Sequence, residues 1–390
     1  MRVSEQLHKD GTAEPATTLD EQARQIQEIV AAVRTALVDR PKADLALLTK
    51  ATSRLRQIPS GIETNAQFEA LQGICRFFLG QDRDLPFAME AGQYMVRLAR
   101  GLGRKQELLN GLFIQAIIAS QLDNHIEAVE ACAHARELAI ELGSAVSELK
   151  AVLNGAAVYI NVGHYQWALD LLRTALTIAD RCSEEDAARY EWLVLGNIAQ
   201  CHLFLANFDE GLRTAQASRA LAPEPTDPFI AGNRASIEFA CLRLMFAQGR
   251  AAESRPILDA MAKYVEQAGS ARARIDLSIA RGLVEVAEGK REVGFSRIAA
   301  AREKANLIPS TLPDVLNASR AAYVSQGMRE EARQVEAELK ALLANRQETA
   351  RLRAALVLGP VGTAGPSTRV TEYDRRLDAA RERLLRSDSA

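Results

Sequence analysis

The chain has 390 residues, of which 48% are hydrophobic and 25% are charged, a composition that is ordinary for a soluble globular protein. The formal net charge is −2, so no overall basic field draws nucleic acid or an anionic membrane to the protein. No apolar run approaches the roughly 18 residues of a membrane span, and the first residues lack the apolar core of a signal peptide. We therefore expect a cytoplasmic protein with neither a nucleic-acid nor a membrane partner.

The cysteines are far apart in the chain and lie in or beside apolar helical stretches. An odd, scattered set favours reduced thiols in a protein core over a disulfide framework. The five positions are Cys75, Cys132, Cys182, Cys201 and Cys241.

The N-terminal part of the chain is expected to form a tail and a helical cap. Residues 1–18 mix Lys, Asp, Gly, Glu, Pro and Thr without periodicity, which predicts a mobile tail. Apolar residues at helical spacing then predict one helix from about Leu19 to Val38 and a second helix that ends at Pro59. We interpret residues 19–60 as a cap in front of the main part of the chain.

The main part, residues 61–358, is expected to consist of repeated helix pairs with a tight turn inside each pair. Glycine marks this turn in four pairs, and separations of 86, 40 and 38 residues give a period near 40. In the second pair the turn falls at Asp123-Asn124. Because one pair cannot bury its own apolar faces, the pairs should stack into a continuous core. The turn glycines are Gly163, Gly249, Gly289 and Gly327.

The third pair, at residues 153–179, carries the clearest pattern. Small residues stand where its two helices must touch, aromatic residues fill the gaps beside them, and glycine occupies the turn. With Leu149 as position 1, positions 8, 11, 15, 17, 20 and 27 are Ala156, Tyr159, Gly163, Tyr165, Ala168 and Ala175. This pattern resembles the tetratricopeptide repeat (TPR). The longer period resembles the TPR-like arrays of bacterial transcription regulators and peptide sensors.

This resemblance implies an all-α, right-handed superhelical solenoid of about seven TPR-like helix pairs with an N-terminal helical cap. In TPR arrays the first helix of each pair lines a concave groove that holds a protein or peptide. The corresponding groove residues in this chain are Lys150, Asn154, Asn197, Gln200, Phe239, Arg243 and Asn317.

The residue types at these positions suit a peptide ligand. Each asparagine offers a donor and an acceptor to an extended backbone, and Arg243 or Lys150 can hold a carboxylate. An alternative interpretation is that Asn154 and Asn197 only satisfy local backbone groups.

The C-terminal part of the chain is expected to leave the array. Residues 359–368 are rich in Gly, Thr, Pro and Ser, which predicts a flexible linker. Residues 369–390 predict one further helix with apolar residues at heptad spacing. This seam is only about two heptads long, so the helix either joins two copies as a homodimer or packs on the array.

No pattern in the sequence indicates catalysis. The sequence contains no Gly-rich phosphate loop, no Gly-x-Ser-x-Gly elbow, no His-Glu-x-x-His and no Cys-x-x-Cys pair. The histidines lack the spacing of metal ligands, and we interpret His202, beside Cys201, as a core residue. We therefore expect no enzymatic activity, no catalytic residue, no cofactor and no metal.

The sequence thus predicts a non-enzymatic module that binds a protein or peptide and acts as an adaptor or regulator. An alternative is the sensory region of a bacterial signalling protein of the diguanylate-cyclase type without its output domain. The basis is that a short heptad helix often connects such arrays to an output domain, and that residues 384–390 loosely resemble the hinge of such proteins. A scaffold for oligomers is a third possibility.

Overall fold

The computed structural model describes residues 18–38, 45–59, 61–81 and 84–351, and all regular structure in these ranges is helical. The expected tail apart from Thr18, the linker at 359–368 and the helix at 369–390 lie outside the described residues. The chain divides into two compact units, residues 1–77 and 78–390.

The first unit contains the two N-terminal helices predicted from the sequence and most of a third. These are α1 (Leu19–Val38), α2 (Leu45–Gln57) and α3 (Thr64–Gln81), the last of which extends across the unit boundary. Ile26, Leu48 and Ile74 are fully buried in its core. Arg34 of α1 bonds to Glu69 of α3 at 2.7 Å. The unit is therefore held by apolar packing, with an ion pair at its surface.

The second unit contains thirteen helices in the described residues, arranged as α4 followed by six antiparallel pairs. We number the pairs α5/α6 to α15/α16 as repeats 2 to 7, which keeps the order of the pairs predicted from the sequence. Short 3₁₀ turns at Ala251–Ser254 and Pro309–Thr311 precede α12 and α15. The helices are α4 (Leu85–Gly101), α5 (Lys105–Gln121), α6 (His125–Glu141), α7 (Ala145–Asn161), α8 (Tyr165–Ala179), α9 (Glu184–Phe204), α10 (Phe208–Leu221), α11 (Pro228–Ala247), α12 (Arg255–Ala268), α13 (Ala271–Ala287), α14 (Arg291–Ala305), α15 (Leu312–Ser325) and α16 (Arg329–Arg351).

The turn inside each of repeats 2 to 7 contains one residue with positive φ. In four repeats it is the predicted glycine, for example Gly163 at φ 82°, because glycine adopts this conformation without steric cost. In repeat 2 the residue is Asp123 at φ 65°, and in repeat 4 it is Ala206 at φ 60°. The turn geometry therefore recurs even where the sequence lacks glycine.

Small residues set the distance between the two helices of a repeat. Ala156 and Ala168 are fully buried in repeat 3. In repeat 6 the same places hold Gly282 and Gly294, and a Cβ added to Gly294 would lie 2.7 Å from the carbonyl oxygen of Gly282. The TPR spacing of small residues therefore marks the true points of close approach.

The odd-numbered helices of the second unit form a continuous layer. From α5 to α15, each odd-numbered helix packs against the next odd-numbered one as well as against its own partner. Neighbouring even-numbered helices do not pack on one another to the same extent in the described part of the chain. Because the odd-numbered helices are closer together, this unit curves with them on its inner side.

Candidate functional site

The inner side of repeats 3 to 5 carries a strip of partly exposed side chains on otherwise buried helices. The exposed positions recur every three or four residues, which places them on one side of each helix. We call this surface the inner face. Its residues are Lys150, Asn154, Ala157 and Asn161 on α7, Tyr190, Leu193, Asn197, Gln200 and Phe204 on α9, and Phe229, Asn233 and Ser236 on α11.

Three amides of the inner face have no hydrogen-bond partner in the described part of the chain. The side chains of Asn154, Asn197 and Gln200 form no hydrogen bond with any part of the chain that the structure describes. The alternative in which Asn154 and Asn197 satisfy local backbone groups therefore has no support in the observed contacts. Each amide can both donate and accept a hydrogen bond.

A lysine and two aromatic rings lie on the same surface. The ammonium of Lys150 sits 5.4 Å from the centre of the Tyr190 ring, a cation–π distance, and this contact joins α7 to α9. Phe229, at the start of α11, is 65% exposed. Sequence reasoning missed both aromatic residues, although each stands a whole number of helical turns before a predicted groove position.

Three other predicted groove residues lie together, but in a buried cluster. Arg243 is 4% exposed and Phe239 also 4%. The Arg243 guanidinium donates to the carboxylate of Asp314 and, at 3.0 Å, to Oδ1 of Asn317. It also lies 5.2 Å from the Phe204 ring centre and 5.1 Å from that of Phe239. Arg243 and Asn317 are therefore bonded within the protein, between repeat 5 and repeat 7.

A tyrosine extends this cluster towards repeat 3. The ring of Tyr165 stacks on that of Phe204, with centres 4.6 Å apart and planes 2° from parallel. Burial, followed by the negative charge of Asp314, raises the pKa of the Tyr165 hydroxyl. Tyr165 is thus a neutral aromatic partner in a packed cluster that contains one cation and one carboxylate.

The far end of repeat 7 meets repeats 2 and 3 through Arg346. Its guanidinium donates at 2.9 Å to the carbonyl oxygen of Asn161 and at 2.9 Å to that of Pro309. Its Nη2 also lies 2.7 Å from Oδ1 of Asp123, and the same oxygen lies 2.9 Å from Nε2 of His125. Arg346 is 3% exposed. A single buried side chain therefore joins the last repeat to two early turns.

Cys201 and His202 are adjacent, but their protonation states do not suit nucleophilic catalysis. Burial raises the pKa of the Cys201 thiol and lowers the pKa of His202. Burial therefore favours the neutral form of both groups, whereas an activated cysteine needs a thiolate beside a cationic or basic group. Elsewhere in the described residues, no group of three or more His, Cys, Asp or Glu side chains could hold a metal ion.

The described helices lie between Leu19 and Arg351. None of those described is both long and apolar enough to cross a bilayer. The described helices together form an all-α solenoid of TPR-like pairs, with an inner face of polar and aromatic residues.

Two solved structures with a similar fold are complexes. One is a Rap protein complexed with competence and sporulation factor, which aligns with 85% of this chain and 100% of its own at 14% identity and a TM-score of 0.59. Another is the Rap conjugation gene regulator of the plasmid pLS20 in complex with the Phr* peptide, at 12% identity, a TM-score of 0.52 and coverage of 87% and 98%. No protein-family model matches the chain, and no curated protein does.

Proposed function

We propose that this protein is a non-enzymatic, cytoplasmic regulator that binds a peptide on the inner face of repeats 3 to 5. The observation that carries the proposal is the set of unpartnered amides of Asn154, Asn197 and Gln200 on neighbouring inner helices. The proposal is also supported by the fold, because similar structures were solved with competence and sporulation factor and with the Phr* peptide.

The chemistry of the inner face fits an extended peptide segment. An extended backbone presents N–H and C=O groups that are not paired within the peptide, and asparagine or glutamine can pair with both. The ammonium of Lys150 can bind a carboxylate of the ligand. Tyr190 and Phe229 offer apolar and stacking surface for its side chains. Of the seven predicted groove residues, we propose Lys150, Asn154, Asn197 and Gln200 as ligand contacts.

Phe239, Arg243 and Asn317 have a different part in this proposal. Phe239 and Asn317 already contact Arg243, which also donates to Asp314. We therefore propose that these three residues shape the floor of the groove and do not contact the ligand. Ligand binding would then act on a protein partner by changing how the repeats are arranged.

The test compares an inner-face variant with a matched variant on another helix. A display library of short linear peptides is selected on the native chain, and the enriched peptides are titrated against purified variants. The inner-face variant is Asn154→Ala with Asn197→Ala. The control is Gln166→Ala, because Gln166 is an exposed amide at the start of α8.

We expect the double variant to bind the selected peptides at least about tenfold more weakly, a loss of about 1.4 kcal/mol, and the control to bind as the native chain does. Circular dichroism establishes that both variants are folded. Equal affinity in all three proteins would rule out the inner face as the binding site.

The sensory-region alternative depends on residues outside the described part of the chain. It predicts that residues 369–390 join two copies, so deletion of this segment should convert a dimer into a monomer in sedimentation experiments. The homodimer and the diguanylate-cyclase-type output remain predictions from the sequence.

A further inference from the structure

We infer that Arg346 is a latch that holds the second unit closed. In this state it limits access to the part of the inner face that lies at the C-terminal ends of α7 and α9. This inference goes beyond the proposed peptide binding, because it concerns a state of the protein without ligand. It starts from the three groups that Arg346 contacts. They belong to the turn of repeat 2, the end of α7 and the 3₁₀ turn before α15.

The carboxylate that pairs with Arg346 belongs to Asp123, which occupies a turn position that holds glycine in most of the other repeats. It is the positive-φ residue of the repeat 2 turn, at φ 65°, where repeats 3, 5, 6 and 7 have glycine. A β-carbon is unfavourable in this conformation. Oδ1 of the Asp123 side chain lies 2.9 Å from Nε2 of His125 and 2.7 Å from Nη2 of Arg346. Its position therefore gives repeat 2 a charged anchor for the end of α16.

A second set of polar contacts holds repeat 7 on its inner side. Arg243 of repeat 5 donates to Asp314 and Asn317 of α15, and Arg272 of α13 lies 3.9 Å from the other oxygen of Asp314. Repeat 7 is therefore attached to repeats 2, 3 and 5 by hydrogen bonds and ion pairs, in addition to the packing of α16 against α6 and of α15 against repeat 6.

The ion pairs and hydrogen bonds that hold repeat 7 can open reversibly. The gain from a buried ion pair is largely offset by the loss of its hydration. When such a pair separates, water solvates both charges again, whereas separation of an apolar interface leaves carbon surface exposed. A closing contact that depends on such groups is consequently suited to an equilibrium between closed and open states.

The position of the latch determines which part of the inner face it covers. Asn161 and Phe204 stand at the C-terminal ends of α7 and α9. Asn161 contacts Arg346, and Phe204 contacts Arg243. Lys150 and Asn154 lie two to three turns earlier on α7. Closure therefore restricts access near Ala157 and Asn161 and leaves the other end open.

The test measures the distance between repeats 2 and 7 in the full chain. Donor and acceptor dyes are placed on cysteines that replace His134 of α6 and Ala341 of α16, both exposed, with Cys182→Ser in every protein. The latch variant is Asp123→Asn, since asparagine tolerates positive φ better than other side chains. Arg346→Lys is a second variant that keeps the positive charge. The matched control is Glu338→Gln, which removes the half-exposed pair between α16 and Arg302 of α14.

We expect a lower transfer efficiency in Asp123→Asn, a smaller decrease in Arg346→Lys and no change in Glu338→Gln. Accessibility is measured separately with a bulky polyethylene glycol maleimide on a cysteine replacing Ala157. Its reaction should be several-fold faster with Asp123→Asn, while a cysteine replacing Gln166 reacts at an unchanged rate.

Two results would overturn the inference. Unchanged transfer efficiency in folded Asp123→Asn and Arg346→Lys would show that Arg346 does not hold the unit closed. A longer distance with an unchanged reaction rate at position 157 would show that closure does not limit access. If Asp123→Asn does not fold, the result from Arg346→Lys decides. Neither readout uses a peptide, so failure here is distinguishable from failure of the proposed function.

Discussion

Arg243 of α11 and Asp314 of α15 form a buried ion pair across two repeats, 71 positions apart in the sequence. Their side chains are 3% and 8% exposed, and the guanidinium also lies beside the rings of Phe204 and Phe239. In an array where most contacts join adjacent repeats, this pair fixes the position of repeat 7 relative to repeat 5.

Removal of one partner of this pair should destabilise the protein strongly. Asp314→Asn leaves the Arg243 charge buried without its carboxylate, and we expect a loss of about 3–5 kcal/mol in the free energy of unfolding. Urea denaturation measures this change. The control is Glu185→Gln, which breaks an exposed pair with Arg189 on α9 and should cost less than about 1 kcal/mol. Equal effects in the two variants would contradict the structural role of the buried pair.

The Asp123 carboxylate should make stability depend on pH in the acid range. Burial raises its pKa, but the close contact with His125 and the charge of Arg346 outweigh burial, so the pKa lies below its ordinary value. Such a group stabilises the folded state above its unfolded-state pKa, and this contribution is lost as the pH falls through the folded-state pKa, below about 4.

The measurement for Asp123 compares the native chain with Asp123→Asn in urea at several pH values. Their difference in unfolding free energy should be constant near neutral pH and should shrink below about pH 4. A difference that stays constant down to about pH 3 would show that the carboxylate is not stabilised in the folded state.

Cys182 should be the first cysteine to react with an alkylating reagent. Burial raises the pKa of Cys75 and of Cys132 to about 12, which suppresses the thiolate that attacks the reagent. Cys182 is only partly buried. At about pH 8, iodoacetamide followed by peptide mass spectrometry should show modification at Cys182 well before the others, and at all five positions in urea. Rapid native-state modification of Cys132 would instead indicate that repeat 2 opens readily.

The close approach inside repeat 6 should make the protein sensitive to substitution of Gly294. In Gly294→Ala the new Cβ would meet the carbonyl oxygen of Gly282 at 2.7 Å and the amide nitrogen of Val286 at 2.9 Å. Neither backbone atom can move without displacing a helix, so we expect a loss of about 1–3 kcal/mol. Thermal denaturation by circular dichroism measures the change.

Gly232 of α11 provides the matched control for Gly294, because a Cβ there meets only the Ala268 side chain, at 3.7 Å. Gly232→Ala should therefore raise stability by up to about 1 kcal/mol through better helix propensity. If both substitutions stabilise the protein, the helices of repeat 6 are not in the tight contact described.

The helical repeats could be predicted from the sequence because their signals are local. Gly163 indicates the positive φ of the turn, and the small residues Ala156 and Ala168 indicate the close approach of the two helices within one repeat. The same logic found the turns at Gly249, Gly289 and Gly327. The sequence also contains one signal for the proposed latch, because Asp123 stands at the turn position where four other repeats have glycine.

The contacts between distant repeats could not be predicted in the same way. Register alone placed Arg243 on the inner side, and it does lie there, but its partner is on a helix two repeats later. Whether such a side chain contacts a ligand or another repeat depends on how far the array curves. Curvature is the sum of small rotations between repeats, which no local pattern specifies.

The contact between Arg346 and the Asn161 carbonyl spans 185 residues, and this separation has a consequence for how the chain folds. In an open array each repeat can fold on its neighbour as soon as it is synthesised. Here repeats 2 to 6 leave the ribosome before residue 346 exists, so closure must be the last step. A contact between residues so far apart in the sequence adds a slow event to otherwise local folding. Loss of repeat 7 would also remove the ion pair at the turn of repeat 2, near the opposite end of the array.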